Sequence, residues 1–357
     1  MRYSEILASL AAEHRLRIIP PDNDRRMIDL LSNDYMGLAA SAEDFREEFY
    51  DRYGDAPFTS VASRLLSRKH KYHNMLEEML TGLYGRPALV FNSGYHANIG
   101  VIQALAVPGT LILSDRLIHA SAIDGIRLSK RDFKRFPHND VNGIRNILSS
   151  LNGEYERVLL VIESIYSMDG DIAPLKEIVA LKREFPQLII YLDEAHGFGV
   201  RGQNGLGVAE ETGVLDDIDI IMGTLGKAAA SAGAFVIASP EIISLLVNTA
   251  RSFIFSTALP PVNCAWSCLM IEKLVGMNDR RQYLRSLSEK FITDINSLTA
   301  VPSPSRSQIV PVIVGDASRA LSLAERCIAG GFDCMAIRRP TVPVSYKNLL
   351  APDPRGH

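Results

Sequence analysis

The sequence predicts an α/β protein built around a mostly parallel sheet, and three features of the chain support that fold. Short runs of solidly apolar residues recur along the chain, as expected for strands that are buried on both faces. Segments with helical periodicity separate these runs. Small or polar residues follow most of the runs, as at the ends of strands. Strands that alternate with helices form parallel sheets covered by helices on both faces.

The first part of the chain contains the predicted sheet. An amphipathic helix is predicted over 4–15, before Pro20-Pro21, and helices are also predicted over 73–85 and 95–106. The predicted strands, all short and apolar, cover 88–91, 110–115, 157–164, 188–195, 218–224 and 233–239.

After residue 260 the pattern changes to longer helices. The predicted elements there are helices over 261–276 and 279–298, a strand over 308–315 and a helix over 317–331. The change indicates three parts, namely an N-terminal helix and arm (1–40), a large domain (41–265) and a small C-terminal α/β domain (266–357).

Composition excludes several classes of function. A formal net charge of -3 gives no electrostatic attraction to nucleic acid or to an anionic membrane. No apolar run approaches the roughly 18 residues of a membrane span, and no secretory signal is recognisable, so we expect a cytoplasmic protein. The spacing of the four cysteines matches no zinc site, so no metal is expected. These cysteines, expected to be reduced thiols, are Cys264, Cys268, Cys327 and Cys334.

The turn after the strand at 88–91 is a candidate phosphate site. It reads Asn92-Ser93-Gly94-Tyr95 and leads directly into a helix. The first N–H groups of a helix have no partner within the helix, and the helix dipole favours an anion there. An ordinary strand-to-helix turn has the same pattern, so this feature alone leaves both interpretations open.

Two acidic residues, Asp193 and Glu194, lie near the end of the predicted strand over 188–195. A buried carboxylate at Asp193 requires a cationic partner or strong hydrogen bonds. A protonated pyridine nitrogen is such a partner, and His196 can reach the same place. The DEAH string also occurs in helicases, but the Gly-Lys pair at 226–227 lies downstream and lacks the first glycine of a P-loop. The sequence therefore argues against nucleotide triphosphate hydrolysis.

Lys227 follows the strand at 218–224 and has only small neighbours, Gly226 and the alanines at 228–230. These small residues leave room for a planar ligand beside the amine. A lysine in such a pocket can lose its proton and form a Schiff base. Alone it could equally be a surface lysine, but the phosphate turn, the acid and the lysine occur together at the ends of successive strands.

Many collinear motifs resemble the α-oxoamine synthases, which are fold-type I pyridoxal-phosphate (PLP) enzymes. These motifs are LSNDYMGLA (31–39), SRLLS (63–67), NSGYHAN (92–98), SDRLIHASAIDG (114–125), FPHND (136–140), ESIYSMDGDIAPL (163–175), DEAHGFGV (193–200), GTLGK (223–227), FSTALPP (255–261), SQIVPVIVGDASRAL (307–321) and AIRRPTVP (336–343). The resemblance implies the fold-type I PLP transferase architecture, with a large domain and a smaller C-terminal α/β domain. It also implies PLP as the cofactor and a homodimer with the active site at the interface.

The resemblance implies a role for each matching residue. Lys227 would carry PLP and move the substrate Cα proton, and Asp193 would pair with the pyridine nitrogen. His119 would stack on the ring, and His196 would bond its phenolic oxygen. The phosphate would be held by Ser93, Gly94, Tyr95, Thr224 and the partner subunit's Thr257. The substrate side would be lined by Glu163, Ser167, Asn33 and Arg338.

Family members join an amino acid to an acyl thioester with loss of CO2. The segments VGDASRALSLAE (314–325) and FPHNDV (136–141) favour the branch that uses L-alanine and a pimeloyl thioester, carried by CoA or by a carrier protein. Branches that use glycine with acetyl-CoA or succinyl-CoA, or serine with palmitoyl-CoA, remain open. The basic run at 127–135 could bind CoA phosphates or form a solvated helix face.

Three segments depart from the family pattern. The loop over 55–64 lacks its usual glycines, and the alanines at 228–230 stand where glycine or phenylalanine is common. After 343 the chain reads VSYKNLLAPDPRGH, and Leu350 stands where an arginine would bind the amino-acid carboxylate. We therefore expect an atypical, shortened small domain and a protein whose cofactor binding survives better than its catalysis.

Overall fold

The computed structural model of the protein describes residues 2–13, 15–19 and 27–337. The strands of this part are β1 (Ile28–Asp29), β2 (Ala88–Phe91), β3 (Thr110–Asp115), β4 (Phe133–Phe136), β5 (Arg157–Glu163), β6 (Leu188–Asp193), β7 (Ile220–Thr224), β8 (Ala234–Ile237) and β9 (Phe332–Asp333). Its α-helices are α1 (Tyr3–Ala12), α2 (Arg46–Tyr53), α3 (Lys71–Tyr84), α4 (Gly94–Leu105), α5 (Ala120–Ser129), α6 (Val141–Ser150), α7 (Leu175–Glu184), α8 (Val208–Thr212), α9 (Pro240–Thr249), α10 (Arg251–Ile254), α11 (Pro261–Val275), α12 (Asn278–Leu298) and α13 (Ala317–Ala329).

A seven-stranded sheet forms the centre of the molecule, in the order β2-β8-β7-β6-β5-β3-β4. The strands from β7 to β4 in this order are parallel, and β8 runs antiparallel to both β7 and β2. Buried side chains on both faces of the sheet pack against helices. This burial explains why the central strands are apolar throughout instead of alternating with polar residues. The predicted mostly parallel α/β sheet is confirmed.

Helix α3 buries one face, as its sequence predicts. In α3 the buried side chains include Tyr72, Leu76, Leu80 and Tyr84, which recur every four residues along one stripe. Gly85 ends this helix in the left-handed conformation, with φ of +68°. No helix in the described part of the chain is both long enough and apolar enough to cross a membrane.

The predicted strand over 308–315 is wrong, because the segment forms neither strand nor helix. Local side chains bond its backbone instead: the Ser305 hydroxyl donates to the Ile309 carbonyl, and the Ile309 N–H donates to the Ser307 hydroxyl. Such bonds compete with a strand ladder. Pro311 also has no N–H to offer to a neighbouring strand.

The basic run over 127–135 is not one helix face. It ends α5, turns at Lys130 with φ of +55°, and continues into β4 at the edge of the sheet. The sequence does not indicate β4, because its charged residues suggest a solvated segment. Edge strands commonly carry charges of this kind, since charges discourage pairing with another chain.

Residues near the two ends of the 27–337 range meet in a second, two-stranded parallel sheet. Ile28 of β1 pairs with Phe332 of β9. The predicted domain division at residue 265 falls inside α11, whose buried residues pack in the core of the large domain. We therefore propose a division after Val275 instead, with α12 leading to the C-terminal part.

Candidate active site

Three of the predicted site residues, Glu163, Asp193 and Thr224, lie at one edge of the sheet, where the parallel strands β5, β6 and β7 end. Glu163 and Asp193 are register partners on β5 and β6, and Thr224 ends β7. Both carboxylates are buried, being 3% and 6% exposed. Ligands of open α/β sheets bind beyond this edge, so its polar side chains define the candidate site.

Lys227, just after β7, contacts His196, in the turn after β6. Nζ of Lys227 lies 2.7 Å from Nε2 of His196. The other ring nitrogen, Nδ1, lies 2.8 Å from the Tyr35 hydroxyl, and that hydroxyl donates to Oδ1 of Asn33 at 2.9 Å. A consistent arrangement has Nε2 of His196 accepting from the amine and Nδ1–H donating to Tyr35.

Burial lowers the pKa of both basic groups in this hydrogen-bonded series, Lys227 and His196. Burial lowers the pKa of Lys227, although the carboxylates of Asp193 and Glu163 oppose the shift. Burial also holds the pKa of His196 well below its usual value, and the positive charge of Lys227 acts in the same direction. Lys227 is therefore poised to act as a base and His196 to stay neutral.

Asp193 is fixed by hydrogen bonds from two directions. Its Oδ2 accepts from Nδ2 of Asn98 at 2.9 Å, and its Oδ1 accepts from the Ala195 N–H at 2.9 Å. Asn98, on α4, is itself held because its Oδ1 accepts from the Tyr191 hydroxyl at 2.5 Å. Asn98 is not among the site residues predicted from the sequence. A buried amide within the NSGYHAN motif was the available signal.

His119 lies at the start of α5 and faces the same charges. Its Nδ1 lies 2.7 Å from the Ser121 hydroxyl, which fixes the ring. The residue is exposed, but the atoms around its ring desolvate it and lower its pKa, while the Asp193 carboxylate opposes this shift. His119 is therefore within electrostatic reach of Asp193 and Lys227.

Glu163 and Ser167 lie at the end of β5 and in the turn that follows. Burial, reinforced by the charge of Asp193, raises the pKa of Glu163 well above its usual value. Its Oε1 has no hydrogen-bond partner within the described part of the chain. An unpartnered buried oxygen of this kind needs a donor from a ligand or water. Ser167 is half-buried.

The N-terminus of α4 has the geometry of an anion site. The Ser93 hydroxyl caps the helix by accepting from the His96 N–H at 3.2 Å. The N–H groups of Gly94 and Tyr95 then have no acceptor among the described residues. Thr224 lies close by, since a Cβ added to Gly94 would lie 3.8 Å from the Thr224 Cβ. The Tyr95 hydroxyl points elsewhere and donates to Asp124 at 2.6 Å.

Two predicted site residues, Thr257 and Asn33, lie at exposed positions around the site, and a third, Arg338, lies outside the described residues. Thr257 is exposed, and its carbonyl accepts from Nδ2 of Asn92 at 2.6 Å, which places it beside the α4 turn. Asn33 is exposed and reaches the site through Tyr35. Arg338 and the whole tail after 343 lie outside the described residues.

This set of groups fits PLP. A helix N-terminus with free N–H groups suits the phosphate, a fixed carboxylate suits the ring nitrogen, and a half-buried lysine suits the aldehyde. The unpartnered Glu163 oxygen adds a place for a ligand donor. The sheet and the strand-end site together define a fold-type I PLP-dependent transferase.

Comparison with known proteins places the chain more narrowly. The family description "Aminotransferase class I and II" matches residues 25–349. A protein of Haemophilus influenzae (strain Rd), provisionally named as an 8-amino-7-oxononanoate synthase, is 43% identical over 359 residues, covering 97% of this chain and 94% of its own.

Solved structures agree with this placement. A variant of serine palmitoyltransferase from S. paucimobilis, with a bound PLP–myriocin aldimine, is 28% identical and superposes with a TM-score of 0.84 over 95% of this chain and 88% of that chain. The 8-amino-7-oxononanoate synthase of Francisella tularensis is 26% identical, with a TM-score of 0.70 over 88% and 89% of the two chains. The chain therefore belongs to the aminotransferase class I and II family and, within it, to the α-oxoamine synthases, which are PLP-dependent acyltransferases.

Proposed function

We propose that the protein binds PLP and condenses L-alanine with a pimeloyl thioester, giving 8-amino-7-oxononanoate, CO2 and the free thiol carrier. The observation that carries this proposal is the half-buried Lys227 amine beside His196, at the strand edge that also holds the buried Asp193. The names of the relatives from H. influenzae and F. tularensis supply the product.

The cofactor would be held by residues at the ends of four elements. Gly94 and Tyr95 would offer backbone N–H groups to the phosphate, joined by the hydroxyls of Ser93, Thr224 and the partner subunit's Thr257. Asp193 would pair with the ring nitrogen, His119 would stack on the ring, and His196 would bond the phenolic oxygen. When bound, PLP supplies an electron sink for charge that develops at the amino-acid Cα.

Lys227 would perform the proton transfers. Because burial lowers its pKa, the Lys227 amine holds its proton less tightly than an exposed lysine, and the neutral amine can take the Cα proton of alanine. His196 orients the amine through the hydrogen bond at 2.7 Å. Asp193, held by Asn98 and the Ala195 N–H, keeps its negative charge fixed where positive charge is needed.

The substrate side is less complete than the cofactor side. Glu163, Ser167 and Asn33 would face the substrates, and Arg338 would lie near the acyl group. In the condensation, a bond forms between the alanine Cα and the acyl carbon while the thiolate leaves. The bond from Cα to the carboxylate then breaks to release CO2, and a proton returns to Cα from Lys227.

We also propose a cytoplasmic homodimer. The segment around 57–62 is hydrogen-bonded to the segment around 258–262, through pairs such as Ser60 hydroxyl to Leu259 carbonyl at 2.9 Å. These two segments and their neighbours expose large apolar side chains, with Phe58 at 79%, Leu66 at 82% and Phe255 at 70%. Exposed apolar side chains on segments that lead to Thr257 are what a subunit interface at the active site would require.

The test is a visible absorbance titration of the PLP-loaded protein with L-alanine, glycine and L-serine, followed by measurement of thiol release from pimeloyl-CoA and a pimeloyl carrier protein. We expect alanine to perturb the cofactor band at the lowest concentration, and thiol release to follow. Lys227→Ala is the control and should lose turnover. A stronger response to glycine or serine would favour another α-oxoamine synthase activity. A PLP band that no amino acid changes would indicate a protein that binds the cofactor but is catalytically impaired.

A further inference from the structure

The FPHND motif provides a residue that bridges two loops of the site. His138 lies between β4 and α6, and the side chain is 24% exposed. Its Nδ1 lies 2.9 Å from Oδ1 of Asp115, and its Nε2 lies 2.7 Å from Oδ2 of Asp171. The ring also meets Tyr166 edge-on, with centroids 4.4 Å apart. Both imidazole nitrogens are thus bonded to carboxylates from two different segments.

The next residue of the motif repeats this bridge. The Asn139 N–H donates to Oδ2 of Asp115 at 2.9 Å, and its Nδ2 donates to Oδ2 of Asp171 at 2.6 Å. Asn139 makes both bonds from a left-handed backbone conformation, with φ of +53°. Asparagine tolerates this conformation better than most residues. Two consecutive residues therefore bind the same pair of aspartates, Asn139 through its backbone N–H and its side-chain amide.

Each aspartate anchors a loop that carries a proposed site residue. Asp115 ends β3, and its carboxylate also accepts from the Leu117 N–H at 2.7 Å, in the loop that leads to His119. Asp171 closes the turn that contains Ser167, since its carbonyl accepts from the Tyr166 N–H at 3.1 Å. The bridge from His138 therefore fixes the His119 loop relative to the Ser167 turn.

The turn over 166–171 also contacts the segment 305–309, which leads to the C-terminal part. The Arg306 N–H donates to the Gly170 carbonyl at 3.0 Å. Gly170 has φ of +68°, and a Cβ there would lie only 2.0 Å from the Ile309 carbonyl oxygen. Only glycine fits this contact, so the position of the turn also determines where the 305–309 segment packs.

The charges around His138 favour its protonated form. Burial opposes protonation, but the hydrogen bonds and charges of Asp115 and Asp171 outweigh it and raise the pKa of His138 to about 10. Asp169 faces the same cluster, and burial raises its pKa to about 6. At neutral pH the ring is therefore a cation between two carboxylates.

A divalent metal is the other candidate for this place. Ligand atoms of His138, Asp169 and Asp171 all lie within 4.8 Å of one another. However, a metal would need a free imidazole nitrogen, and both nitrogens of His138 already contact carboxylates. The existing bonds favour a closed ion pair over a ligand set.

We propose that His138 is a positioning residue for this reaction: its bridge between Asp115 and Asp171 holds the His119 loop and the Ser167 turn in register beside the cofactor site. This inference rests on the proposed function, because it assigns His119 and Ser167 their roles there. His138 itself contacts neither loop's site residue directly and acts through the two aspartates.

The experiment compares PLP-loaded wild type with His138→Gln and with Asp171→Asn, which keeps the shape of the side chain. His70→Gln is the matched control, since His70 is a half-buried loop histidine whose Nε2 lies 2.9 Å from the Ser67 carbonyl oxygen. Backbone hydrogen exchange over 115–119 and 166–171 is measured together with kcat and the KM for alanine.

We expect faster backbone hydrogen exchange in both loops for His138→Gln and Asp171→Asn. His70→Gln should exchange at the wild-type rate in both loops. A misplacement of catalytic groups by about 1 Å would lower kcat by about 10- to 100-fold. The KM for alanine should stay within about threefold, because the bridge does not touch the substrate. If His138→Gln does not fold, Asp171→Asn alone decides the matter by the same two measurements.

Unchanged exchange in either loop, or unchanged kcat, would overturn the proposal. So would a loss of activity on EDTA treatment that a divalent cation restores, because this would make the cluster a metal site. The exchange measurement needs no turnover. A wild-type protein that forms no product would therefore contradict the proposed function while exchange still reports whether His138 holds the two loops.

Discussion

Nε2 of His196 lies 2.7 Å from Nζ of Lys227, so the histidine orients the amine proposed to carry out the proton transfers. The histidine is oriented in turn by the Tyr35 hydroxyl at 2.8 Å, on a loop that precedes the sheet. The position of the amine therefore depends on a residue from the N-terminal arm.

Tyr35→Phe should lower kcat about tenfold, because a lost hydrogen bond to a buried group costs roughly 1–3 kcal/mol and about 1.4 kcal/mol corresponds to a factor of ten in rate. Steady-state kinetics of thiol release would measure this. Tyr50→Phe, which removes a hydroxyl from a tyrosine that is 58% exposed, is the control and should change nothing. Equal kcat for Tyr35→Phe and wild type would show that Tyr35 does not orient His196.

Asn98→Ala should weaken both folding and cofactor binding. It removes the Nδ2 bond to Asp193 and leaves the buried Tyr191 hydroxyl without its acceptor. We expect the free energy of unfolding to fall by about 1–3 kcal/mol. Tyr191→Phe is the control, because it removes only the second bond and leaves Asp193 held. Titration with PLP should give a higher Kd for Asn98→Ala than for Tyr191→Phe, and equal Kd values would contradict a role for Asn98 at Asp193.

The sequence predicted the parts of the site that belong to single strand ends. Lys227, Asp193 and Thr224 each follow a buried apolar run, and register alone brings such ends together. Asn98 and Tyr35 were missed as site residues because their partners are far away in the chain. Asn98 bonds a residue 95 positions later, and Tyr35 bonds one 161 positions later. Only the completed fold determines such pairs.

The predicted strand over 308–315 failed for a related reason. Its apolar residues satisfy a strand pattern, but a strand also needs a neighbour with free backbone groups. Here the hydroxyls of Ser305 and Ser307 instead bond the backbone carbonyl and N–H of Ile309. The FPHND motif shows the converse, since its sequence indicated a family but gave no sign that His138 bridges Asp115 and Asp171.

Glu194→Gln should remove a pH dependence of stability. Glu194 is fully buried, and burial raises its pKa to about 7, against the hydrogen bonds from Ser164 and Ala209. Because the folded pKa lies above the unfolded value, this stabilisation is fully present below about pH 4.5 and is lost as the pH rises through about 7. The loss for wild type would be up to about 3 kcal/mol.

Thermal unfolding between pH 4.5 and 7.5 would measure this effect. The difference in Tm between Glu194→Gln and wild type should move in favour of the variant as the pH rises. Glu154→Gln, at an exposed carboxyl, is the control and should follow the wild-type curve. Parallel curves for Glu194→Gln and wild type would mean that Glu194 does not titrate in this range.

Leu66→Asp should separate the proposed dimer into monomers, because a charge in an apolar interface must be desolvated without a partner. Leu298→Asp is the matched control, since both leucines are 82% exposed, but Leu66 closely follows the 57–62 segment in the chain whereas Leu298 ends α12. Light scattering after size-exclusion chromatography would give the masses. A dimer that survives Leu66→Asp but not Leu298→Asp would place the interface elsewhere.

Val61→Gly should stabilise the protein. Val61 lies in the loop that lacks its usual glycines, and its φ is +48°, a left-handed conformation that a β-branched side chain adopts only with strain. The side chain is 85% exposed within one subunit, so its removal loses little packing there. Relief of about 1–2 kcal/mol of strain, less about 0.5–1 kcal/mol for the greater freedom of glycine when unfolded, leaves a gain of about 1 kcal/mol.

Denaturant unfolding of Val61→Gly and of the control Val61→Ala measures this gain. Alanine keeps a Cβ in the strained conformation, so it should recover less. An alanine variant as stable as the glycine variant would show that the backbone conformation is not the source of the strain.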